Sequence, residues 1–202
     1  MNRNLIILCV LAMCSLVLAE EKKTVESEKE KLDYRSVIVD AWLVKIDADM
    51  LYQSGVKPLS EKEKEYVSVM NLIWCLSEPN CGEIIASAKT RTITNESASC
   101  ESSNVRYVKW ERGNHTEFSP YSSETVFKTE PKIFDDKIIR LEYVFRIDSF
   151  SFSEFNLELP PKEIKLNFAN YVVFPDKKPM IACQSQIGNE MYFLVMKAEI
   201  VE

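Results

Sequence analysis

Glycine is scarce in this 202-residue sequence: there are four, at Gly55, Gly82, Gly113 and Gly188, and no two are clustered. Loops that cradle phosphate need closely spaced glycines, so a nucleotide-binding loop of that type is excluded. Histidine is scarcer still, with His115 alone beside Gly113 and Asn114 in a polar stretch. Nucleophilic catalysis needs a base next to a Ser, Cys or Thr, and a zinc site needs several His or Cys at ligand spacing. Neither set can be assembled, and no GxSxG or CxxC motif is present. The sequence therefore points to no enzyme, no metal, no cofactor and no small-molecule substrate. Asp135-Asp136 are paired carboxylates, but at the tip of a hairpin they read as turn formers rather than an acid–base pair. The formal charge of −6 argues against nucleic acid, whose binding proteins carry clustered Lys and Arg.

Long apolar runs are also missing, with one exception at the start. Arg3 is followed by an apolar run from Leu5 to Leu18, then Ala19 and the charged Glu20-Glu21-Lys22-Lys23. That order is a cleavable secretory signal peptide over residues 1–19. The run is shorter than the roughly 20 residues a membrane-spanning helix needs. Neither Cys9, after Leu8, nor Cys14, after Met13, fits a lipidation site. Removing the segment takes Arg3 and no acidic residue, so −6 becomes −7. With no later apolar stretch of spanning length, any membrane insertion would have to use strands.

Four cysteines remain in the exported chain: Cys75, Cys81, Cys100 and Cys183. An even count in an oxidising compartment points to two disulfides. Three pairings are open; nearness in sequence favours Cys75 with Cys81, leaving Cys100 with Cys183. The alternative is four small buried thiols. Asn95-Glu96-Ser97 and Asn114-His115-Thr116 fit the glycosylation sequon, which matters only in a eukaryotic source.

Residues 20–33 are mostly Glu and Lys and read as a solvated, disordered leader. Residues 35–47 are apolar on both faces, a buried strand. One or two helical turns ending at Gly55 follow. Ser60 and Glu63 form a capping box that opens a helix running to Glu78, where Pro79 stops it. From Glu83 the character turns to strands, over 83–93 and 97–110, separated by Thr94-Asn95-Glu96. Residues 111–124 read as an exposed loop. A hairpin comes next, turning at Asp135-Asp136, and in its second arm Ile139, Leu141, Tyr143, Phe145 and Ile147 share one face. Residues 149–163 read as a connection with exposed Phe150 and Phe152. Strands over 164–174, 180–187 and 190–201 close the chain. The sum is an α+β fold, a mostly antiparallel sheet with one or two N-terminal helices packed on it, as a single domain over 34–202.

The order of these elements, with several short motifs, resembles the C-terminal secretin homology domain of the outer-membrane channels of type II and type III secretion and type IV pili. Residues 37–56 have the outline of the family's opening strand and turn. Residues 87–98 follow its S-x-P-x-V-T-T-L-N-N-Q-x-A stretch without the proline. The gate-region hairpin L-x-V-x-P-x-I, an acidic turn and an alternating strand are similar to residues 127–133, Asp135-Asp136 and 139–147. Phe174-Pro175-Asp176 matches V-P-D-G, with Lys177 where the family has glycine. The resemblance implies a gate-like hairpin carrying Pro131, Asp135, Asp136, Ile139, Leu141, Tyr143 and Phe145. It further implies a homo-oligomer or partners from a secretion system, located in the periplasm or at the outer membrane. A monomeric periplasmic or extracellular binding module that keeps the fold without a pore is the alternative.

Overall fold

A computed structural model of the chain describes residues 34–53, 67–112, 115–135, 137–151 and 161–201. The signal peptide, the charged leader, Gly55, the Ser60–Glu63 capping box, Asn114, Asp136 and Phe152 lie outside these residues. The described elements are β1 (Ser36–Asp47), α1 (Ala48–Gln53), α2 (Val69–Ser77), β2 (Gly82–Ile93), β3 (Ala98–Arg112), β4 (His115–Asp135), β5 (Ile138–Ser151), β6 (Lys162–Pro175), β7 (Met180–Ile187) and β8 (Glu190–Val201). Two antiparallel sheets form, ordered β2-β1-β8-β7 and β3-β4-β5-β6. The architecture is the α+β, sheet-dominated fold that the pattern implies.

The core between the sheets comes from period-two alternation on facing strands. Val37, Val39, Ala41 and Leu43 of β1 meet Ile139, Leu141, Tyr143 and Phe145 of β5, with Leu194 and Met196 of β8 alongside. On the opposite face of the first sheet a smaller cluster packs Val44, Ile46, Phe193 and Val195 under Leu51 of α1 and Leu72 of α2. This is why β1 and β8 are apolar on both faces: one face meets the second sheet, the other meets the helices.

Each helix is started by a side chain. Asp47 ends β1 and caps α1, its Oδ1 accepting the N–H groups of Asp49 and Met50 at 3.0 and 3.1 Å. Helix α2 begins later than Ser60-Glu63 implies. Ser68, extended at φ −99° and ψ 160°, is its N-cap, and the reciprocal partner is Asn71 rather than a glutamate. The Asn71 N–H donates to Ser68 Oγ and the Ser68 N–H to Asn71 Oδ1. An extended Ser68 cannot continue a helix, so α2 starts at Val69. At the other end Glu78, extended ahead of Pro79, donates its N–H to the Trp74 carbonyl and stops the helix.

Strand β4 corrects the loop expected over 111–124: it runs 21 residues from His115 to Asp135. Pairing with β3 runs from His115 to Thr129, whereas pairing with β5 begins only at Glu124 and continues to Asp135. Pro120 lies opposite Tyr107 in the part that has β3 as its described neighbour, so its missing N–H breaks no bond to β5. Phe150 is likewise no free connector residue. It pairs within β5–β6 and sets its ring edge-on to Tyr121, with centroids 5.2 Å apart.

Candidate functional site

The chain changes sheet at two corners, β2 to β3 and β6 to β7, and both are stitched down. At the first, Thr94 is buried, and its Oγ1 accepts the Ile133 N–H at 3.0 Å and donates to the Pro131 carbonyl at 3.4 Å. Asn95, at φ 63°, donates its N–H to the same carbonyl at 2.7 Å. At the second corner Lys177 stands at φ 64° and donates its N–H to the Ala198 carbonyl at 2.8 Å. The Asp176 carboxylate accepts the Ile200 N–H at 2.8 Å. Asn tolerates the left-handed conformation through its short polar side chain; lysine has no such help. The Thr-Asn and Pro-Asp pairs of the sequence motifs are thus the two corner pieces.

Pro131 is buried in β4 under the first corner, where its carbonyl serves both Thr94 and Asn95. Ile139, Leu141, Tyr143 and Phe145 do form one row, and that row is the inter-sheet core, each at most 1% exposed. The outward row of β5 is the other one: Ile138, Arg140, Glu142, Val144 and Arg146, all exposed. Arg140 lies over the Tyr171 ring, 4.7 Å from its centroid, and Arg146 pairs with Glu124 at 2.8 Å. Asp135 ends β4 across a bulge opposite Ile138.

Cys75 and Cys81 sit together in the cluster under the helices. Cys81, Cys100 and Cys183 carry thiols. Cys100 lies on β3, opposite Phe127 of β4, and Cys183 lies on β7, next to Ala182, whose carbonyl accepts the Tyr143 O–H of β5. Two strand spacings in one sheet, about 10 Å, and a further gap between sheets therefore separate Cys100 from Cys183. A disulfide needs Cα atoms within about 7 Å, so the fold does not bring this pair together.

The edges of the two sheets differ. Both outer strands of the first sheet carry register breaks: the β1–β2 register slips between Leu43 and Val44, and the β7–β8 register between Ile181 and Cys183. The outer strands of the second sheet, β3 and β6, pair without a break over 15 and 14 residues. Bulges twist an edge away from further pairing, while a long regular edge leaves a row of N–H and C=O groups aimed outward.

A polar network closes the end of the first sheet near α1. Lys45 contacts the Glu83 carboxylate, and Glu190 takes Lys162 at 2.9 Å and the Tyr192 hydroxyl at 2.9 Å. Burial pushes the Glu190 carboxyl up, but Lys162, Tyr192 and Lys45 outweigh it and hold the group below its ordinary value. Tyr192 is pushed upward, first by burial and then by its bond to Glu190. Every charge in this network has a partner, and among the described residues no group of three His, Cys, Asp or Glu could hold a metal. It reads as a brace for the β7–β8 turn. No described helix is long and apolar enough to cross a membrane, which leaves strand-based insertion open.

No family model matches the chain, and no curated protein matches it. Solved structures do. The open-gate structure of the Salmonella SPI-1 type III secretion injectisome secretin InvG aligns with a TM-score of 0.50 at 11% identity, over 91% of this chain and 66% of that one. The type II secretion system secretin GspD of E. coli K12 aligns at 0.47 and 11%, over 91% and 54%. The type IV competence pilus secretin PilQ of V. cholerae aligns at 0.44 and 8%, over 91% and 65%. The chain spans less than two thirds of the length of each of these three. The fold is secretin-like.

Proposed function

We propose that this chain is an exported secretin-like domain that serves as a subunit or accessory of a protein-secretion channel at the outer membrane. The observation that carries the reading is a secretin-like fold whose second sheet ends in two long, regular edges. Such edges accept a further strand, and β3 of one copy and β6 of the next supply each other with one. Head-to-tail pairing of unlike edges generates a ring when the rotation closes. Residues 1–19 direct export, residues 20–33 are a charged spacer, and the domain over 34–202 assembles in the periplasm or at the outer membrane. The partners are copies of the chain or proteins of a secretion system.

The alternation from Val126 to Ile147 supports a wall. Its inner row fills the core, and its outer row, Ile138 to Arg146, meets the lumen or a neighbour. The β4–β5 hairpin, with Pro131 and Asp135 near its turn, takes the gate-like place. Oxidation on export joins Cys75 to Cys81, the pair that shares one cluster, and leaves Cys100 and Cys183 as thiols. Counting alkylatable thiols in the exported, unfolded chain without reductant tests this: two are expected, and four would contradict it.

Negative-stain images and native mass spectra of the exported chain test the assembly. Rings or a single closed stoichiometry support the channel reading. A strict monomer in both buffer and detergent contradicts it and favours the monomeric binding module.

A further inference from the structure

We propose that the outward side of α2 is a contact between copies of this chain, in which Met70, Ile73 and Trp74, continued by Ile84 of β2, pack against the β7–β8 side of the next copy. The proposal rests on the assembly reading above and adds a second surface to it. Across Val69–Ser77 the helix has no charged residue. Its inner row is already spent on the smaller core, with Leu72 and Cys75 buried and Val69 and Leu76 packed beside them. Yet Met70 is 71% exposed, Ile73 51% and Trp74 40%. A helix apolar on all sides is stable when covered on all sides.

Ile84 extends the patch. It pairs with Val44, which belongs to the helix-packed cluster, so both side chains lie on the face that carries α2. Ile84 is 52% exposed, and β2 is the outer strand of its sheet. The apolar surface therefore runs to the edge of the molecule, where a neighbouring copy would begin. Clustered exposed apolar side chains of this kind mark an interaction site.

Two observations favour a second copy over lipid as the occupant. A wall facing lipid carries its apolar band across every strand. On this same face β7 instead shows exposed Gln184 and Gln186, opposite Phe193 and Met191, and farther along lies the Asp40–Lys89 ion pair. The β7–β8 side of a neighbour also offers a match, because Ile181 and Met191 are only partly covered at the margin of its helix-packed cluster.

Sedimentation of the exported full chain across a concentration series, with Met70→Glu and Ile73→Glu beside the wild type, tests the contact. Each variant is expected to raise the concentration of half-assembly about tenfold or more, as loss of an interface anchor does, and to leave the monomer's thermal midpoint unchanged. Ile73→Leu should assemble like the wild type. Variants that assemble normally overturn this contact and leave the assembly reading standing, whereas a wild type that never assembles overturns both. A lowered monomer midpoint in Ile73→Glu means the face is covered from within the chain, and it overturns the contact. So does flotation with phosphatidylcholine vesicles that Ile73→Glu abolishes while assembly persists.

Discussion

The two sheets share one core but treat their surroundings differently. The first, β2-β1-β8-β7, is covered on its back by α1 and α2 and broken in register at both outer strands. The second, β3-β4-β5-β6, has an outer face of alternating charged and apolar side chains and two unbroken edges. Burial accounts for the inner faces of both. The difference lies at edges and backs, where a folded monomer gains little and a neighbour could gain much.

The largest blow to both sheets at once is expected from Phe145→Ala. Phe145 is fully buried and its ring lies 5.7 Å from that of Phe127. A loss of about 3–5 kcal/mol in urea unfolding is expected, enough to unfold a domain of ordinary stability.

Separating the sheets at their corners is the next test. Thr94→Val keeps the volume but removes the acceptor of the Ile133 N–H and the donor to Pro131, and a cost of about 1–3 kcal/mol is expected. Asp176→Ala, which frees the Ile200 N–H, should cost a similar amount, about 1–2 kcal/mol. If either change is neutral in urea unfolding, the corners are not what joins the sheets.

Alkali should loosen the contact between β5 and β7. Burial, helped by the nearby Cys183, pushes the Tyr143 hydroxyl from its ordinary 10.0 up to about 12. The folded state thus keeps a proton that the unfolded chain gives up near pH 10. Stability from this group is complete below pH 10 and is lost as pH rises toward 12. Urea midpoints at pH 8 and pH 11 should differ less in Tyr143→Phe than in the wild type; an equal fall in both would show that Tyr143 is not the cause.

The smallest effect expected is a gain. Lys177 holds φ 64° without the tolerance of Asn or Gly, and its ion pair with Glu199 is long, at 3.8 Å, and exposed. Lys177→Gly should stabilise the chain by about 0.5 kcal/mol, the relief of left-handed strain less the entropy that glycine adds to the unfolded state. A thermal midpoint that falls would contradict this.

How much of this was legible in the sequence follows from what each signal depends on. The row Ile139, Leu141, Tyr143, Phe145 was plain, because one strand buried on one face writes its burial directly into its own alternation. Strand β8, apolar on both faces, was legible as a strand, though the reason for its second face lies in α1 and α2. The strand over 115–124 was hidden, since Pro120 and many polar residues are allowed where a ribbon is solvated on both faces. The start of α2 at Val69 is not legible, because Ser60 and Ser68 both precede a plausible capping partner and the extended backbone at Ser68 appears only in the fold. The separation of Cys100 from Cys183 depends on which strand neighbours which, and a pattern read along one chain does not contain strand order. The motifs at Thr94-Asn95 and Pro175-Asp176 were visible as motifs, while their role as stitches at the corners needed the fold.

The most direct measurement of the central claim is hydrogen exchange at β3 and β6 in the exported chain at assembling and non-assembling concentrations. If these edges join copies, the outward amides of both strands exchange fast in the dilute chain and become protected on assembly. Assembly that leaves both strands exchanging as in the dilute chain would contradict the account.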